Sequence, residues 1–286
     1  RRRHTRYPLV TGVQTCALPI SAGISSITTA NLNALLSSQV ALLTTAQVQA
    51  LTSDQIANLG DTSNSTLAAL STTQLAALTA NQAKGLTANQ ITTLFTGKFS
   101  SLTPNALTKI TSAQTTALTS AQLGTLTSAQ IQGLSTSVLS ALDTATIKGL
   151  TTDQIAALTQ EQAKAIRLER LSSSQLAAIP TYDIAALDAS AFSAFTTSAQ
   201  IQALTTAQIK ALKTSQIKAL TSTQIGLLST EQIQQLSTDA IKILSTAQIS
   251  KLTTDQIGAL TSSQISSLSA AQVNGMTGAG QLAKLD

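Results

Sequence analysis

One eight-residue pattern repeats from Ile27 to the end of this 286-residue chain, and it limits the possible folds more than any other feature. Its form is Leu, Ser/Thr, Ser/Thr, variable, Gln, Ile/Val/Leu, variable, small. The clearest run reads LTTAQIKA, LKTSQIKA, LTSTQIGL, LSTEQIQQ, LSTDAIKI, LSTAQISK, LTTDQIGA, LTSSQISS, LSAAQVNG, with leading leucines from Leu204 to Leu268. A second run is led by Leu70 through Leu158, and a short first run starts at Ile27, Leu35, Leu43 and Leu51. Tandem copies this short cannot each hold a core, so neighbours must stack to bury one.

A continuous α-helix turns about 100° per residue, so an eight-residue step drifts about 80° and winds the apolar positions around the whole helix. A long amphipathic helix and a coiled coil are therefore excluded. In a strand, Leu and Ile five residues apart face opposite sides. The local grammar is that of a helix start. In Leu-Thr-x-x-Gln-Ile the hydroxyl is an N-cap, the Gln three residues on can accept from the cap amide, and Leu and Ile occupy the two positions of a hydrophobic staple. The rare charges agree. Asp54, Asp153, Glu161, Glu231, Asp239 and Asp255 all take the fourth octad position, where the helix dipole favours an anion. Lys84, Lys148, Lys164, Lys210, Lys218 and Lys242 take the seventh, near the helix C-terminus. The expected fold is all-α: a solenoid or superhelix of very short helices, one per octad, with Leu, Ile and the small eighth residue buried between neighbours. A β-solenoid with Thr and Gln ladders is the alternative.

Residues 1–20, RRRHTRYPLVTGVQTCALPI, do not belong to this pattern. They hold four arginines, no acid, the only Cys (Cys16) and the only His (His4). The segment resembles translated sequencing-adaptor sequence at the ends of metagenomic gene fragments, and is expected to be a non-native, disordered leader. A degenerate secretory signal is the other reading. The formal net charge of +5 rests largely on it: without those arginines the chain holds 13 basic against 12 acidic residues. Thiol and imidazole chemistry leave with the same segment. Residues 21–286 are then a single octapeptide-repeat solenoid, expected to be truncated at both ends. No uninterrupted apolar stretch of about 18 residues is present, so no membrane span is expected.

The octad is disturbed near 59–69 (three residues long of register), 95–104, 166–170 (three short) and 179–203 (one extra residue before Leu204). All four phenylalanines and Tyr182 fall in these places. Aromatic residues there either fill space where the stacking changes or contact a ligand, and Tyr182, Phe192 and Phe195 are the candidate ligand-binding residues. Arg167, Glu169 and Arg170 read as a solvated polar turn. Asn64-Ser65-Thr66 matches a glycosylation acceptor on three residues alone.

Catalytic chemistry finds no support. A Ser or Cys nucleophile needs a neighbouring base, metal sites need clustered ligands, and Gly278-Ala279-Gly280 lacks the Lys-Ser/Thr of a phosphate loop. The carboxylates are accounted for by helix capping. No catalytic residue, metal or cofactor is expected, and no nucleic-acid partner, because the repeat is near neutral and poor in aromatic residues.

The LTTAQIxA octad resembles tandem repeats of very large bacterial surface proteins labelled haemagglutinin-like, haem-utilisation or adhesin. The resemblance covers nearly all of the chain after residue 26. It implies an extracellular or cell-surface spacer or adhesin stalk and carries over no binding residue. The alternative is a binding module, with a Ser/Thr/Gln-rich face or the aromatic break at 179–203 docking a polysaccharide, a protein or ice.

Overall fold

The computed structural model describes residues 21–60, 66–94, 96–195, 197–276 and 280–285. Residues 1–20, with Cys16 and His4, lie outside the described residues. So do Phe95 and the Asn64-Ser65 part of the glycosylation acceptor.

The unit led by Leu204 shows how the octad folds. Leu204 and Thr205 are extended (φ −63°, ψ 126° and φ −69°, ψ 157°), and residues Thr206–Ala211 form a helix. Thr205 Oγ1 accepts from the Gln208 amide at 3.2 Å, while Gln208 Oε1 accepts from the Thr205 amide at 2.8 Å, which closes the capping box. The next leading residue, Leu212, is extended again, so the chain turns a corner and restarts. Helices here end either in an extended residue such as Leu212 or in a right-handed one such as Ala157. Apart from Gly60 and Gly280, no described residue has positive φ.

Repetition gives thirty α-helices of four to six residues and three 3-10 turns among the described residues, with no strand. The β-solenoid alternative is thereby set aside, because each Thr-x-x-Gln satisfies its own helix start and leaves no extended run long enough to pair. The acidic residues at the fourth position stand in first turns, and Lys84, Lys164, Lys210, Lys218 and Lys242 stand in last turns. Four of these charges form two pairs within a helix, Lys164 with Glu161 at 2.9 Å and Lys242 with Asp239 at 3.3 Å.

Helices pack onto others two or three elements away: Thr206–Ala211 onto Thr230–Gln234, and that helix onto Thr254–Gly258. One superhelical turn thus holds between three and four octads. The leading Leu and the sixth-position Ile of each unit join one continuous apolar core running from Ile24 to Met276. The eighth residue is half-buried, not buried: Ala211, Ala219 and Ala259 sit at the coil edge. Its small size still matters. A Cβ added at Gly149 would lie 2.2 Å from the Ser120 carbonyl oxygen one turn earlier, and one at Gly133 would lie 2.5 Å from that of Pro104.

Candidate functional site

The recurrent polar feature of the interior is the glutamine at the fifth octad position. It is buried in unit after unit, for example Gln208, Gln216 and Gln264. Its Oε1 serves its own helix cap. Its Nε2 crosses to the preceding turn and donates to two main-chain carbonyls: Gln216 to Ile184 at 2.8 Å and Leu187 at 2.8 Å, Gln264 to Ile233 at 2.9 Å and Leu236 at 2.7 Å. Those carbonyls belong to the sixth residue of the unit four back and the leading residue of the unit three back. The sixth-residue carbonyl also accepts from the next leading amide, as Ile233 does from Leu236 at 3.1 Å, so the side chain adds a second donor there and serves the leading-residue carbonyl just past the helix end. A side chain with a donor and an acceptor on one planar group meets both needs, so a buried amide here costs little. The sequence pattern reveals the capping half of this arrangement; the donation across turns lies some 28 to 31 residues away and had no local signal.

The irregular units keep this slot. Across 59–69, Gln82 reaches 34 and 31 residues back, to Val48 and Leu51. Across 166–170, Gln175 reaches 28 and 25 back, to Ile147 and Leu150. Each offset moves by three, the size of the insertion or deletion, and the same two structural carbonyls are engaged. At two replaced positions a cation takes over. Lys98 donates to the carbonyls of Ala68 and Leu70, and Arg170 to that of Leu142. Arg170 is therefore part of the turn-to-turn ladder, which corrects its reading as a solvated turn residue. Arg167 is exposed, and the Glu169 carbonyl accepts from Gln200 at 2.7 Å. A cavity of about 210 Å³ opens beside this short unit, edged by Lys164, Arg167, Glu169 and Asp188.

The three aromatic candidates separate. Phe192 and Phe195 are buried, 0% and 5% exposed, and stand where other units carry Ile and Leu. Their rings meet edge to face at 6.1 Å and 87°, and their carbonyls accept from Gln224 Nε2 at 3.2 and 2.9 Å as an Ile-Leu pair would. Tyr182 is 62% exposed at the fourth, outward position of its helix. The structure therefore does not bring the three onto one surface. The Gln of the expected Ser/Thr/Gln-rich face also lies inside, which leaves Ser, Thr and the variable residues outside. No group of three or more Asp, Glu, His or Cys side chains is placed to hold a metal among the described residues.

A capped helix every eight residues, tied to the preceding turn by a buried amide, defines a helical repeat solenoid. The chain belongs to the ALTTAQ repeat family, whose model matches residues 24–61, 126–160, 176–214, 201–238, 228–262 and 239–270, together more than half of its length. No curated protein matches it. No helix among the described residues is long and apolar enough to cross a membrane.

Proposed function

We propose that this chain is a non-catalytic structural segment of a bacterial surface or secreted protein, an extended spacer or adhesin stalk. The observation that carries this reading is the retention of the turn-to-turn ladder across the insertion at 59–69, across the deletion at 166–170, and at the Lys98 and Arg170 replacements. An insertion, a deletion and two residue replacements all leave the Leu70, Leu142, Leu51 and Leu150 carbonyls engaged. Continuity of the coil is what these units have in common, which suits a spacer whose length is set by copy number. A repeat array of about nine turns at a helix-packing spacing of roughly 9 Å extends to about 80 Å. A globule of this length has a radius of gyration near 19 Å by the usual scaling. Small-angle scattering of the chain is expected to give a clearly larger radius and a maximum dimension near 80 Å; a compact profile would sink the spacer reading. Surface display is tested by labelling the repeat on intact cells, where antibody access only after lysis would contradict it.

A second reading rests on the exposure of Tyr182, which would serve as one contact for a polysaccharide or partner protein. Tyr182→Ala should then weaken retention on a bacterial polysaccharide matrix while leaving helicity unchanged. Equal retention removes this reading.

A further inference from the structure

Among the described residues one buried side chain has polar atoms without a hydrogen-bond partner: Asp183, fully buried, with both carboxylate oxygens unmatched. It occupies the fifth position of its octad, the slot of the bridging Gln. The unit before it donates through Gln175 to Ile147 and Leu150. One octad on, the same register assigns the carbonyls of Ile155 and Leu158 to Asp183. Every polar replacement with a cross-turn bond in the ladder is a donor: amide, Lys98 ammonium or Arg170 guanidinium. An ionised Asp can only accept, and a carboxylate facing carbonyls is repelled. The cap is altered as well. Pro180 replaces the usual Thr and has no N–H, so nothing at the cap needs an acceptor oxygen.

We propose that Asp183 is a proton-operated joint in the solenoid: as the neutral acid its Oδ–H donates to a carbonyl of the Ile155–Leu158 pair in place of the Gln amide, and its ionisation loosens that turn. Burial pushes its carboxyl above the ordinary value, against a smaller opposing effect of Tyr182. No cation offsets this. The helices packed on Thr181–Ala186 are Gln160–Ala165 and Thr206–Ala211. Their charged residues are Glu161 and Lys164, paired with each other, and Lys210, which is exposed. Asp153, on the helix that ends before Leu158, is exposed too. A resident metal is disfavoured because no cluster of ligating side chains surrounds the slot.

Amide hydrogen exchange of the whole chain tests the joint, with residues 228–262 as internal reference. From about pH 4 upward, protection of residues 155–159 and 181–187 in the wild type should fall relative to the reference, by up to tenfold per pH unit, until Asp183 is ionised in the folded chain. Asp183→Asn, which keeps a neutral donor, should show no such fall. Identical pH profiles for the two proteins would overturn the proposal. So would wild-type protection at high pH that calcium chloride restores, since the slot would then hold a metal. A carboxyl-carbon NMR titration of the wild type decides the matter if the variant does not fold: Asp183 must titrate above the other aspartates, and titration among them refutes the joint.

Discussion

The fifth-position glutamine does more for this fold than its place in a capping box suggests. Gln232 accepts from the Ser229 amide at 2.8 Å and donates to Ile201 and Leu204 at 3.1 and 2.6 Å. Gln232→Leu keeps the bulk and removes all three bonds, leaving buried main-chain groups unmatched. A loss on the order of 3 kcal/mol is expected, read as a lower midpoint in urea. The two kinds of aromatic candidate should behave differently. Phe192→Ala opens a cavity in the core and should cost about 3–4 kcal/mol, whereas Tyr182→Ala should stay within about 0.5 kcal/mol. Sequence position marked both aromatic residues as unusual, and their octad positions separate them. Phe192 fills an Ile slot and Tyr182 an outward one, which the octad numbering alone already contains. What numbering cannot contain is the identity of the carbonyls one turn away, because that depends on how many octads close a turn.

At the scale of one helix, most of the structure was legible, since cap, Gln, staple and charge sorting are all local. The exceptions show that either half of the cap can be dispensed with: Ser237 alone caps Thr238–Ile243, where Ala240 replaces the Gln. Lys213 stands where Thr is usual, yet Gln216 Oε1 still accepts from its amide at 2.8 Å and the helix Thr214–Ala219 forms. Lys213→Thr restores the hydroxyl and should add about 1 kcal/mol of stability. The helix Thr144–Ile147 is capped instead by Asp143, whose carboxylate accepts from the Thr146 amide at 2.7 Å and is held below its ordinary pKa mainly by that bond. A depressed folded pKa gives stability that is present above the ordinary carboxylate value and disappears as pH falls through the lowered one. Asp143→Asn should therefore match the wild type at neutral pH and show a smaller loss of helical circular dichroism in acid. The small eighth residue was expected to be buried, but its limit is set at the edge by backbone. Gly149→Ala drives a methyl into the Ser120 carbonyl and should destabilise by about 1–3 kcal/mol.

For the molecule as a whole, contacts connect only neighbouring turns, so stability is a sum of local terms and unfolding need not be all-or-none. The sequence showed the array and its four disturbances, and it left open how the disturbances are absorbed. The offsets answer that: the Gln slot is held and the connecting chain gives way. The ladder also has a sense. In every cross-turn bond from a fifth-position Gln the amide reaches back to carbonyls earlier in the chain, as Gln55 does to Ile27 at 2.7 Å and Gln272 to Leu244 at 2.9 Å. A chain leaving the ribosome therefore presents each new turn to acceptors that are already in place, and growth is templated one way. Pulled from its C-terminal end, the array should give up one turn at a time, in force steps of about 100 Å of released contour.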